Sequence, residues 1–243
     1  MFESFRFWVG SSLNHMTGIH QYLHGGVSMK LITSLAFSAS LLLAGTAHAN
    51  TVYWTDWTSN TANTAIGVIN SDVGLIDVTT SHTSNYNFVQ TSGGTNYWSP
   101  ATPYISADIS NAPGTSDIIA LSSGGTETIV FSSAVVDPLI ALVSWNGNKL
   151  EFGVPIEIVS VGGGYWGNGS AVLNGAGTGL TGSGELHGVV RLKGTYTTIS
   201  FTHTSENWHG YTVGITTAVP EPENFALLLA GLPLLMAARR RNK

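Results

Sequence analysis

Five side chains in the last third of the sequence carry its densest chemistry: Glu185, His187, His203, Glu206 and His209. Glu185 and His187 are two apart, so an extended segment places them on one face. His203 closes one strand-like stretch and His209 precedes the next, and neighbouring strand ends can bring them together. Carboxylate and imidazole groups suit zinc or another first-row metal, or acid–base work. Their spacing matches no metal motif, and a hydrogen-bonded cluster stitching two strand ends accounts for the same residues. No metal and no cofactor is therefore expected, and no catalytic residue is assigned. Nucleophilic catalysis has less to draw on, because the chain has no cysteine and no Gly-x-Ser-x-Gly elbow between a strand and a helix. The rival reading is an extracellular carbohydrate-active or metal-dependent hydrolase built on this His–Glu cluster, and a carboxylate pair for glycoside cleavage also stays open. Asp56, Asp72, Asp108 and Asp117 fall in or near expected loops, yet no Asp-x-Asp-x-Asp series makes them a calcium loop.

Aromatic residues offer a second chemistry. The central region holds Trp54, Trp57, Trp98, Trp145, Trp166 and Trp208. Tryptophan joins an apolar face to a polar handle and suits wet binding surfaces, where sugar rings can stack. Tyr97-Trp98 and Tyr165-Trp166 fall in expected loops, which makes Trp98 and Trp166 the ligand candidates. Trp145 ends an apolar run and is expected in the core.

The scaffold for these residues is short of charge. Lys, Arg, Asp and Glu make up 9% of 243 residues, against roughly 25% in an average soluble domain. With 43% hydrophobic residues the chain can still bury a core. Absence of cysteine rules out disulfides and thiolate metal sites. No basic cluster occurs in the central region, so no nucleic-acid partner is expected.

Both ends read as addresses. Met29-Lys30, an apolar run over Leu31–Ala44 and then Ala47-His48-Ala49 form the charged start, greasy middle and small-x-small site of a secretory signal peptide. Residues 29–49 are that signal, cut between Ala49 and Asn50. Residues 1–28 are expected to be upstream sequence or a leader extension, with Met29 the true start. At the other end stand Val219-Pro220-Glu221-Pro222, a 14-residue uncharged run from Phe225 to Ala238, and Arg239-Arg240-Arg241-Asn242-Lys243. The run is shorter than the roughly 17–25 residues usual for a spanning helix, but snorkelling arginines extend its reach.

Pro220, Glu221 and Pro222, the short apolar segment and Arg239 to Arg241 resemble the PEP-CTERM sorting signal over 220–243. The resemblance implies recognition and cleavage by exosortase, a membrane-embedded cysteine transpeptidase or protease. It also implies a Gram-negative host that makes extracellular polysaccharide, and passing contact with the inner membrane through the C-terminal segment.

Residues 50–219 remain. Their bases are Lys149, Arg191 and Lys193 against eleven acids, a net −8. No helical period is visible there. Short alternating runs rich in β-branched and aromatic residues predict strands at 52–58, 66–70, 75–80, 86–90, 126–132, 139–145, 150–153, 156–161, 188–192, 196–203 and 211–215. Trp145-Asn146-Gly147-Asn148, between two apolar runs, reads as a hairpin turn. Residues 162–184, mostly Gly, Ser, Thr and Asn, read as a long flexible loop. The fold class is all-β, a β-sandwich, expected to be jelly-roll-like and flanked by an N-terminal signal helix and a short C-terminal hydrophobic helix. Asp137–Ser144, Gly184–Gly188, Gly194–Phe201 and Glu206–Gly214 resemble a β-sandwich domain of some PEP-CTERM proteins, a likeness that carries no catalytic residues. The expected role is that of an exported surface or matrix protein, structural or adhesive, in contact with exopolysaccharide.

Overall fold

Two patterns organise the described strands: inward apolar and outward polar side chains alternate along the long strands of one sheet, and runs buried on both faces build the other. The computed structural model describes residues 49–216. The expected leader 1–28, the expected signal peptide apart from its last residue Ala49, the expected sorting signal 220–243 and both expected flanking helices lie outside the described residues.

Fifteen strands occur among the described residues. They are β1 Val52–Trp54, β2 Asp56–Asn60, β3 Thr64–Ser71, β4 Gly74–His82, β5 Phe88–Gln90, β6 Ile118–Leu121, β7 Gly125–Val136 and β8 Leu139–Val143. β9 Lys149–Glu151, β10 Ile156–Gly162, β11 Gly169–Leu173, β12 Gly179–Gly184, β13 His187–Leu192, β14 Thr195–His203 and β15 His209–Thr216 follow. One sheet runs β10-β13-β8-β15-β6-β5, with β1 also on β15; the other runs β11-β12-β9-β14-β7-β4-β3-β2. Every strand ladder is antiparallel. The architecture is all-β and sandwich-like, as the alternation predicts.

β14 shows how the sequence sets the layers. Ile199, Phe201 and His203 are buried while Thr198, Ser200 and Thr202 face water. The inward residues of both sheets, among them Ile129, Phe131, Ile140, Leu142, Tyr211 and Val213, join in one core. β8 is buried throughout, its Ile140 and Leu142 in that core and its Leu139, Ala141 and Val143 in a second one. The second core also takes Trp98, Tyr104 and Ile109 from the segment after β5, which covers the outer side of the first sheet. β8 is central, between β13 and β15, as its unbroken apolar run predicts.

Four expectations are corrected. Residues 52–58 form two strands, β1 and β2, in different sheets, broken at Thr55, whose hydroxyl donates to Val213 O at 2.8 Å. Ile118-Ile119-Ala120-Leu121 is a strand that the alternation test misses, because it is buried on both faces and so does not alternate. Residues 162–184 are largely a hairpin rather than a loop: β11 pairs β12 from Gly169↔Gly184 to Leu173↔Leu180. Its glycines reflect crowding, since a Cβ on Gly182 would strike the Trp145 carbonyl and one on Gly169 the Glu185–Leu186 backbone. Trp145–Asn148 is no hairpin turn either. β8 and β9 belong to opposite sheets, and Trp145, fully buried between them, drives the chain across instead of back on itself.

Gly182→Ala is expected to cost about 1–3 kcal/mol by overpacking against backbone. Gly175→Ala, where an added methyl meets nothing within 4 Å, is expected to change stability by less than about 0.5 kcal/mol. Urea unfolding midpoints of the two variants check the contrast.

Candidate functional site

Alternation along β4 and β14 turns His82 and His203 inward, on either side of β7. Between them β7 begins with Gly125, where an added Cβ would sit 2.7 Å from His82 Nε2. Glycine there lets the two rings meet: His82 Nε2 and His203 Nε2 are 3.0 Å apart. From the opposite sheet, His209 at the start of β15 brings its Nε2 to 3.1 Å from His203 Nδ1. Three buried imidazoles thus form a continuous N–H···N chain across the sandwich.

Two proton arrangements satisfy this chain with every ring neutral. In one, His209 donates to His203, His203 to His82, and His82 Nδ1–H to Ser84 O at 3.0 Å. In the other the polarity reverses, and the Ser84 N–H donates to His82 Nδ1 at 3.3 Å. The far end is His209 Nδ1, which is fully buried, has no hydrogen-bond partner and lies 3.9 Å from Glu206 Oε2. That contact is not an ion pair at neutral pH, because burial, followed by His203 and His82, pushes His209 down to about 3. Burial likewise lowers His203 to about 4 and depresses His82. Burial, reinforced by Glu185, raises Glu206 to about 7, against the Asn146 N–H that favours its ionised form.

Trp145 braces the chain. Its ring meets His209 edge-on with centroids 4.4 Å apart, and its Nε1–H donates to Gly210 O at 2.8 Å. The residues around it build the surface above. Ser144 adopts φ +58°, a left-handed conformation that costs a non-glycine residue about 1–3 kcal/mol, and its hydroxyl donates to Glu185 Oε2. Asn146 holds both acids: its side-chain amide donates to Glu185 Oε1 at 3.1 Å and its backbone N–H to Glu206 Oε2 at 3.1 Å.

Beside these acids lies an aromatic cluster. Gly167 follows Tyr165-Trp166, and a Cβ on it would touch Glu185 Cγ at 3.7 Å, so this turn sits against the acid. Trp208 lies two residues after Glu206. Trp166 and Trp208 ring centroids are 6.3 Å apart, Tyr97 and Trp208 4.9 Å, and Tyr97 and Tyr165 5.2 Å. Trp166 is 54% exposed and Tyr165 43%, while Tyr97 and Trp208 pack down on the second core.

Of the five residues singled out in the sequence, His203, Glu206 and His209 converge, and Glu185 joins them through Asn146. His187 stands apart: its Nδ1 contacts the Tyr104 hydroxyl at 3.2 Å, and Gly164 leaves room for its ring. Trp166 is on the surface, but Trp98 is corrected to core. It is 2% exposed, packs edge-on against Tyr104, and donates Nε1–H to Asp117 O at 3.2 Å. Trp145 is buried as expected. Asn50, the expected first mature residue, is tied to the domain by its N–H to Asp108 O at 2.9 Å. His82 was missed, although the series Ile76, Val78, Thr80 predicts that the next inward position is 82. Asn146 was read only as a turn residue. Among the described residues no group of three or more His, Asp or Glu is arranged to hold a metal ion; Asp108 instead pairs with Arg191 at 3.3 Å and Asp117 accepts the Trp57 N–H at 3.0 Å. Comparison with family models, with curated proteins and with solved structures found no match to this chain.

Folding stability should depend on pH in two opposed ways. Unfolded imidazoles bind protons near 6.5, whereas folded His203 and His187 wait until about 4 and His209 until about 3. Between those values the unfolded chain holds more protons, so stability falls as pH drops from 6.5 toward 4. Glu127, buried beneath Tyr86, and Glu206 are raised from 4.5 to about 7, so their contribution is full below 4.5 and lost as pH rises through 7. Thermal unfolding from pH 4 to 8 should show Tm climbing to about pH 6.5 and then easing; a Tm that keeps rising as pH falls below 6 contradicts the buried neutral histidines.

Proposed function

We propose that the protein is an exported surface or matrix component that holds exopolysaccharide on its Tyr165–Trp166–Trp208 face. The observation that carries this reading is the exposure of Trp166 and Tyr165, at 54% and 43%, in a cluster whose other members are anchored in the core. Exposed aromatic faces beside fixed hydrogen-bonding groups suit sugar rings, which offer apolar C–H faces and polar edges. Glu185, Glu206 and Asn146 supply the polar edge.

Export and sorting belong to the same proposal. The Ala47-His48-Ala49 signal ending and the Pro220-Glu221-Pro222 to Arg239–Arg241 tail support secretion, exosortase processing, passing inner-membrane contact and a place at the cell surface. A jelly-roll topology is supported by the strand order: β6, β15, β8 and β13 are neighbours in one sheet, and β7, β14, β9 and β12 in the other, with the chain alternating between them. A hydrolase is the second reading, favoured only by the paired acids, with Glu206 raised to about 7, at the edge of the aromatic face.

Affinity electrophoresis of the exported protein through gels containing polysaccharide purified from the producing cells tests both. Retardation without released oligosaccharide is expected, and Trp166→Ala should weaken it about tenfold, ~1.4 kcal/mol. Unchanged mobility of the native protein contradicts the binding reading, and steady release of oligosaccharide moves the assignment to the hydrolase.

A further inference from the structure

We propose that the Glu185–Asn146–Glu206 bracket receives the ammonium group of an amino sugar, so that the polymer held on the Trp166 face is a cationic, de-N-acetylated polysaccharide. This rests on the carbohydrate-binding reading and names its substrate class.

Two acids held by one asparagine do not by themselves make a site. Here the groups around them point to a cation. Among the described residues neither acid is paired with Lys or Arg; Arg191 is engaged with Asp108 and Glu157, and Lys193 with Glu157. Behind Glu206 stands His209 Nδ1, fully buried, without a partner and 3.9 Å from Glu206 Oε2. Its ring is neutral, so it adds no positive charge to offset the acids. Repulsion from Glu185 contributes to the high value of Glu206, and an ammonium group between them reverses that term.

Three further features fit the same ligand. An ammonium beside an exposed indole gains a cation–π attraction, and the exposed Trp166 directly precedes Gly167, whose turn sits against Glu185. Hydrogen bonds from ammonium to carboxylate are charge-assisted and strong. Residues 50–219 carry a net −8, which draws a polycation toward the surface. A neutral glycan fits the aromatic face but leaves the acids without a counter-charge. A lysine-rich peptide supplies the charge but no sugar ring for the aromatic face.

Titration calorimetry of the exported protein with fully deacetylated and fully N-acetylated glucosamine oligosaccharides of equal length tests the inference. The deacetylated form should bind at least tenfold more tightly, and its advantage should shrink as salt is raised. Glu185→Gln combined with Glu206→Gln should abolish the advantage of the deacetylated form over the acetylated one, whereas Trp166→Ala should weaken both and keep the advantage. The salt series uses the native protein and stands if the double variant does not fold. Equal affinity for the two sugars, with Trp166→Ala still weakening them, overturns the inference and leaves the aromatic platform. Failure to bind either sugar, or indifference of both to Trp166→Ala, overturns the platform as well. Oligolysine binding as tightly as the deacetylated sugar overturns the assignment to a polysaccharide.

Discussion

Three neutral imidazoles bonded end to end between the sheets are the constraint on which the rest of this structure depends. A buried polar nitrogen is costly unless it finds a partner, and His82, His203 and His209 find one another across strands that no local sequence rule connects. Their contacts fix β15 against β14 and β4 at one end of the sandwich. Trp145 closes that end by filling the space beside His209, and in doing so forces the crossover from β8 to β9. Ser144 and Asn146 flank it in sequence; their side chains hold Glu185, and the Asn146 backbone N–H holds Glu206. The acid bracket is therefore the outer rim of a polar core.

The two proton arrangements of the chain give Glu206 an unusual neighbour. With one polarity His209 Nδ1 presents a lone pair toward it, and with the other an N–H. A protonated Glu206 suits the first and an ionised Glu206 the second. Either arrangement leaves every histidine uncharged, which is the electrostatically cheap state in a low-dielectric interior. Glu127 with Tyr86 and Thr80 continues the polar core beyond His82, its Oε1 accepting from the Tyr86 hydroxyl at 2.8 Å. Burial keeps that carboxyl protonated to about pH 7.

Much of the fold was legible because the long strands of the eight-stranded sheet bury one face. The alternation in β3, β4, β7 and β14 could be read directly, and the apolar run of β8 marked a central strand. Where a strand is buried twice, as β6 is, alternation vanishes and so does the signal. Where glycine is chosen for close approach, as in β11 and β12, composition imitates a flexible loop. The site was half legible. Types and spacing picked out His203, Glu206 and His209, since these sit at adjoining strand ends. They could not supply His82, which reaches its partner across β7 by tertiary pairing, nor detach His187, whose Tyr104 contact depends on the segment covering the second core. Trp98 and Trp166 each follow a tyrosine in an expected loop, and only the packing of that covering segment separates the buried one from the exposed one.

Nitrogen-15 NMR of the histidine side chains is the most direct test of this account, because it reports the tautomer of each ring and the coupling through each N–H···N bond. His203 and His209 should both be neutral at pH 5.5 and His82 should titrate below an ordinary imidazole, with coupling between His82 and His203 and between His203 and His209. Independent titration of these three rings near 6.5, with no coupling between them, would contradict it.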